Sequence, residues 1–292
     1  MFTGLSAFVA TPANEEGRVD TGHLQRLVAN VARPGITSIG VLGSTGNYMY
    51  LSQAERGRAL EAAVEAAGET PVLAGIGAMA TRDVIENAQV AERFGAAGLL
   101  LAPVSYLPLT DEDVFGLFSD VAAATSTPIC VYNNPGTTGV TISKDLLARL
   151  ARISGVDAVK NPAPSLLDAE SDVQAVRRDV PDGFVVGYSG DARIAGVLPS
   201  GADAWYSVLA GTMPEPCIAL WEARSDPAAL AALDDRMRPM WECFNHYGSI
   251  RVVFELIEMV GLGRVMPPRP LLPLNTTAYA HIKAALEHAQ TV

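Results

Sequence analysis

Short apolar runs alternate with helix-like stretches eight times along this 292-residue chain, and that alternation leaves few folds open. The runs fall at 6–12, 38–44, 71–78, 97–103, 128–135, 156–162, 184–190 and 202–209. Each is apolar almost throughout, as expected of a parallel strand covered on both faces. Helical periodicity is read at 21–32, 52–68, 81–95, 111–125, 143–153, 167–180, 191–199 and 212–224. Helix-start signals support these stretches: Thr21 follows Asp20, and Ser52 stands three residues before Glu55. Eight strand-then-helix units match a (β/α)8 barrel, whereas a doubly wound sheet has about five or six. Three further helical patterns, at 227–247, 249–261 and 277–290, follow the eighth unit, with a proline-rich stretch at 266–273 between the last two. The expected fold class is therefore α/β: a (β/α)8 TIM barrel over residues 1–225 and a helical C-terminal domain over residues 226–292.

Composition removes several function classes. The net charge of −11 and the lack of a basic stretch argue against nucleic-acid binding. No uninterrupted apolar run reaches about eighteen residues, so no membrane span is expected. Met1-Phe2-Thr3-Gly4 has neither a basic nor a long apolar character, so no signal peptide is expected. Three widely spaced cysteines, Cys130, Cys217 and Cys243, fit a reducing cytoplasm better than a disulfide framework or a zinc site.

In a barrel of this kind the chemistry sits where the strands end. Only three of the 21 basic residues are lysines. Lys144 and Lys283 belong to helical patterns and read as solvated faces. Lys160 instead closes the sixth apolar run, Val156-Asp157-Ala158-Val159-Lys160. Burial of an ammonium is costly, so its pKa should fall, leaving a neutral amine able to attack a ketone. It can equally serve to neutralise a buried carboxylate such as Asp191. The second run ends in Gly43-Ser44-Thr45-Gly46-Asn47, where small residues let backbone N–H groups approach an anion; a plain capped turn fits the same residues. The fifth ends in Tyr132-Asn133-Asn134-Pro135-Gly136-Thr137, placing a phenol either at the barrel mouth as a proton shuttle or in the core. Asp191 follows the seventh run and can bind a substrate hydroxyl or cap a helix. Tyr206, on the eighth, is a candidate for lining the pocket. Gly75-Ile76-Gly77-Ala78-Met79-Ala80 fits a loose dinucleotide fingerprint but lacks the acidic partner on the next strand, so it is set aside. His23, His246, His281 and His288 all fall in helical patterns and form neither a metal cluster nor a catalytic triad.

Gly43-Ser44-Thr45-Gly46, Tyr132-Asn133-x-Pro135 and the strand-ending Lys160, in this order and spacing, resemble the dihydrodipicolinate synthase / N-acetylneuraminate lyase family. Phe2-Thr3-Gly4, Gly190-Asp191 and Arg269-Pro270-Leu271-Leu272-Pro273-Leu274 fit it as well, so the resemblance covers nearly the whole chain. It implies a homotetramer built as a dimer of dimers. It also implies an imine between Lys160 and pyruvate or a related 2-keto acid, with Tyr132 as proton shuttle. Ser44 and Thr45 would hold the keto-acid carboxylate, Ser44 also serving in the proton relay, and no metal or organic cofactor is implied. Four features depart from the pattern of the synthases, one being the stretch after the lysine, Asn161-Pro162-Ala163-Pro164, where they carry a glycine-containing one. Thr137 stands where they carry an arginine that binds the second substrate's carboxylate. Ser105, with Tyr106 next to it, stands at the relay tyrosine lent by a neighbouring subunit. Asn47 replaces a glutamate.

The expected function is accordingly a Schiff-base-forming lyase acting on pyruvate or a related 2-keto acid, by carbon–carbon bond cleavage or formation, or by dehydration. Its catalytic residues would be Lys160, Tyr132 and Ser44, and its substrate-binding residues Thr45, Gly46, Ser105, Thr137, Asp191 and Tyr206. The alternatives are a genuine 4-hydroxy-tetrahydrodipicolinate synthase of lysine biosynthesis and a keto-acid-binding barrel that has lost catalysis.

Overall fold

The computed structural model describes residues 1–290. Its core is a closed parallel barrel, β1 (Gly4–Phe8), β2 (Ser38–Val41), β3 (Val72–Gly75), β4 (Gly98–Leu101), β5 (Ile129–Tyr132), β6 (Val156–Pro162), β7 (Val185–Ser189) and β8 (Ala204–Ser207), in sequence order. Pairing of β1 with β8, Ala7 opposite Ser207, closes it. Every strand lies within or beside its apolar run. The runs overshoot because the exits, such as Leu42 and Ala102, remain buried after strand pairing ends.

Around the barrel lie α1 (Thr21–Val31), α2 (Gln53–Ala67), α3 (Thr81–Arg93), α4 (Asp111–Ala124), the short α5 (Pro135–Thr138), α6 (Lys144–Leu150), α7 (Ala169–Asp179), α8 (Ile194–Val197) and α9 (Pro214–Glu222). Asp20 caps α1 by accepting from the His23 backbone N–H at 2.9 Å. Ser52 caps α2, but Glu55 does not return the bond; its carboxylate accepts from the Val19 N–H and from Arg58 instead. The reciprocal capping box is Thr110 with Asp113, at α4.

One expectation needs correction. Residues 191–199 do not form one helix: a 3₁₀ turn at Asp191–Arg193, the single-turn α8 and a second 3₁₀ turn at Leu198–Ser200 replace it. Burial of the Asp191 side chain ties the start of this segment to β8, and Pro199 removes a backbone donor at its end. The glycines of the loose dinucleotide fingerprint also serve packing. A Cβ on Gly75 would sit 1.8 Å from the Leu42 carbonyl oxygen, and one on Gly77 would meet the Tyr48 ring at 3.0 Å.

Alternation along the strands divides the interior in two. Ile129 and Val131 of β5 face the helices, while Cys130 and Tyr132 join Phe8, Leu100, Ala158 and Tyr206 inside the barrel. After the barrel come α10 (Pro227–Tyr247), α11 (Ser249–Met259) and α12 (Thr276–Gln290); residues 291–292 lie outside the described residues. The three pack on one another, and α10 also packs against the Asp191–Arg193 turn at the mouth of the barrel. No helix among the described residues is long and apolar enough to cross a membrane.

Candidate active site

Lys160 pairs in register with Tyr132 of β5 on one side and Gly187 of β7 on the other, so all three point into the barrel. Glycine at 187 is what leaves room there, because a Cβ would stand 2.4 Å from the Tyr206 ring. The lysine is 4% exposed, and its Nζ lies 3.7 Å from the centroid of Phe8, 4.7 Å from that of Tyr132 and 5.7 Å from that of Tyr206. No hydrogen bond or ion pair holds it among the described residues. Burial pushes the amine below the ordinary lysine range, against the opposing pull of Tyr132, Cys130 and Asp191.

Asp191 is not its counter-ion. The carboxylate accepts from the Trp205 Nε1–H (2.9 Å), the Ser207 hydroxyl (3.1 Å) and the backbone N–H groups of Val208 (3.1 Å) and Leu209 (2.8 Å). Burial raises this carboxyl's pKa, and the donors pull it back. Its oxygens do not cap the helical turn that follows it, as the sequence suggested; they tie the β7 exit to the end of β8.

The Tyr132 hydroxyl accepts from Asn134 Nδ2 at 2.8 Å and lies 3.4 Å from Ser44 Oγ. With Asn134 supplying a donor to the phenol oxygen, the phenol's own proton is free to point toward Ser44 or the cavity. Leu42 and Asn47, with φ of 55° and 56°, bracket the loop that carries Ser44 and Thr45. Thr45 is 3% exposed, yet its hydroxyl bonds to no described residue.

Ser44, Thr45, Tyr132, Thr137, Lys160 and Asp191 all line one cavity of about 340 Å³, enough for a small organic acid and a short partner. Three expected residues fall outside that lining. Tyr206 is fully buried beneath Lys160, with its hydroxyl donating to the Phe2 carbonyl at 3.3 Å, so it forms the floor and not the wall. Gly46 packs under Leu42, where a Cβ would meet the Leu42 nitrogen at 2.7 Å. Ser105 accepts from the Leu107 N–H at 3.2 Å on the loop after β4, and Tyr106 beside it is 88% exposed.

With this geometry in place, comparison with known proteins is decisive. A model of the dihydrodipicolinate synthetase family matches residues 1–289. The chain belongs to that family. A dihydrodipicolinate synthase crystal structure from Agrobacterium tumefaciens superposes with a TM-score of 0.96 at 43% identity, over 99% of this chain and 98% of that one. The 4-hydroxy-tetrahydrodipicolinate synthase of Neisseria meningitidis is 30% identical over 98% of each chain. A chloride-inhibited dihydrodipicolinate synthase from Acinetobacter baumannii, solved with pyruvate, shares 27% identity and a TM-score of 0.89 over the full length of both. Within this family the present chain is an aldolase-type lyase.

Several residues of the dihydrodipicolinate synthetase-type cavity escape a reading of strand ends. Phe8 ends β1, where it reads as one more apolar residue, yet its ring lies closest to the amine. Phe244, Asn245, Ser249 and Ile250 reach the wall from α10 and α11, and Arg193 comes from the broken segment after β7. A cation two residues after Asp191 was the one available signal. The histidines stay elsewhere: His23 Nε2 contacts the Leu262 carbonyl at 2.7 Å, and His281 Nδ1 contacts the Tyr247 hydroxyl at 2.6 Å.

Proposed function

We propose that this protein uses Lys160 to form an imine with pyruvate or a closely related 2-keto acid and makes or breaks a carbon–carbon bond next to it. The observation that carries the reading is a buried amine without hydrogen-bond partners on the floor of a cavity, beside a tyrosine whose phenol reaches toward Ser44. The Nζ lone pair adds to the C2 carbonyl, and a proton from Tyr132 turns the carbinolamine oxygen into departing water. The resulting iminium accepts the electron pair released when a bond at C3 breaks, to hydrogen or to carbon, and returns it when the bond at C3 re-forms. Tyr132 and Ser44 carry the proton between steps, while Ser44 and Thr45 hold the keto-acid carboxylate.

Borohydride reduction in the presence of pyruvate, followed by peptide mass spectrometry, tests this directly. An adduct on Lys160 is the expected result. Labelling only by a longer 2-keto acid would move the assignment to a dehydratase, and no label with any keto acid would leave a binding barrel without catalysis. Tyr132→Phe is expected to keep the adduct while slowing its formation and turnover by about 10²–10⁴-fold; unchanged rates would remove Tyr132 from the relay.

A second reading, genuine 4-hydroxy-tetrahydrodipicolinate synthase, draws support from the names of the curated relatives. Condensation of pyruvate with aspartate semialdehyde at a rate comparable with that on other aldehydes would establish it. Against it stands Thr137, which lines the cavity where the synthases use arginine. A homotetramer and a cytoplasmic setting belong to the same proposal. The first is supported by the exposed Tyr106 and Leu107 beside the barrel mouth, the second by three buried free thiols.

A further inference from the structure

Two asparagines follow Tyr132, and the loop after β5 gives them different tasks. Asn133 holds the loop together. Its Nδ2 donates to the Ile142 carbonyl (3.1 Å) and to Asn161 Oδ1 (3.0 Å), and its Oδ1 accepts from the Ile142 N–H (3.2 Å). Asn134 stands at the N-cap of α5, where a side chain of this type ordinarily accepts from the first turn, yet it makes no such bond. Its backbone carbonyl accepts from the Thr137 and Thr138 N–H groups and from the Thr138 hydroxyl. The side-chain amide turns back to the cavity with one partner among the described residues, the Tyr132 hydroxyl at 2.8 Å. Pro135 supports this arrangement, because the residue before a proline is kept out of helical backbone, and Asn134 has φ −145° and ψ 79°.

The polarity of that one contact sets the direction of the phenol. An amide N–H only donates, so the phenol oxygen accepts from Asn134 and aims its own proton elsewhere. Ser44 Oγ, 3.4 Å away, and the cavity are what remain. When the proton leaves, the oxygen becomes negative at a residue only 5% exposed. The same N–H then makes a charge-assisted bond, stronger than the neutral one it replaces.

Resting on the imine reading above, we propose that Asn134 is a positioning residue of the proton relay: it acts through Tyr132, first orienting the phenol and then holding the phenolate. In the step it assists, the phenol O–H bond breaks and the proton goes to the carbinolamine oxygen. The C2–O bond breaks, water departs, and the nitrogen lone pair closes the iminium. The phenolate then takes a proton from C3, and the electron pair of that C–H bond neutralises the iminium as an enamine. One phenolate is common to both transfers, so one donor serves both. Binding of the keto acid itself needs no help from this amide.

Exchange of the pyruvate methyl protons in heavy water, followed by proton NMR on the intact enzyme without a second substrate, reports both transfers. Asn134→Leu is expected to slow exchange by about 20-fold, with the half-saturating pyruvate concentration and the melting temperature little changed. In a Tyr132→Phe background the same substitution should cost less than about 2-fold, because the oxygen it serves is gone. Asn134→Asp keeps the size of the side chain but offers the phenol an acceptor and draws its proton away from Ser44, so exchange should be slower than in Asn134→Leu. Equal penalties in the two backgrounds, or native rates in Asn134→Leu or Asn134→Asp, would overturn the role of Asn134 and leave the imine intact. A native chain that shows neither exchange nor a borohydride-trapped adduct would overturn the imine reading, and this inference with it.

Discussion

Lys160→Met abolishes turnover and raises the melting temperature. Loss of the nucleophile should cost about 10⁴-fold or more in kcat, because no other amine lines the cavity to take its place. The stability gain has a separate origin. The amine is buried over three aromatic rings without a hydrogen bond, so folding strips its water and returns only ring faces in exchange. Methionine fills nearly the same volume without that cost, and a gain of about 1 kcal/mol is in keeping with other function-for-stability exchanges. The sign with pH follows from the depressed pKa. Between its folded value and the ordinary lysine range the unfolded chain holds a proton that the native chain has given up, so native stability rises with pH there. The advantage of Lys160→Met is therefore fully present below the folded value and fades as the pH climbs to that of an ordinary lysine. Thermal melts of both proteins across that window check it; a variant less stable at every pH would mean that the lysine makes a stabilising contact.

Gly75→Ala is expected to damage the protein more than any single change at the cavity surface. Its new Cβ would lie 1.8 Å from the Leu42 carbonyl oxygen, backbone against backbone, with no side-chain rotation to relieve it. Leu42 is already in the left-handed region at φ 55°, which costs about 1–2 kcal/mol for a bulky residue. Separating β2 from β3 there should cost about 4 kcal/mol or more and displace the loop bearing Ser44 and Thr45. Gly116→Ala is the control: it lies within α4 with nothing within 4 Å of the new Cβ, and should stabilise by about 1 kcal/mol. Urea denaturation of the pair measures both; equal midpoints would mean that β2 and β3 can part without loss.

What could be read from residues alone was whatever chemistry and periodicity place together. A parallel strand covered on both faces announces itself as an apolar run, and so all eight strands were legible, as were the three C-terminal helices. Lys160, Tyr132, Ser44 and Thr45 were legible as cavity residues because each interrupts or ends an apolar run with a group that is costly to bury idly. Tyr206 was misplaced for a definite reason. Strand alternation decides that a side chain points inward, but its depth depends on how the strands stagger around the barrel, and Tyr206 pairs with Ser6, one inward layer below Phe8. Arg193, Asn245 and Ser249 were not legible, because only packing of α10 on the Asp191–Arg193 turn brings them to a common wall.

That wall has a consequence for biosynthesis. The ribosome delivers the strand bearing Lys160 midway through the chain, while the helices that supply Phe244, Asn245, Ser249 and Ile250 emerge near its end. An unfinished chain lacks the enclosure around the amine. Translation order itself thus withholds a complete reaction chamber until the last helices have docked.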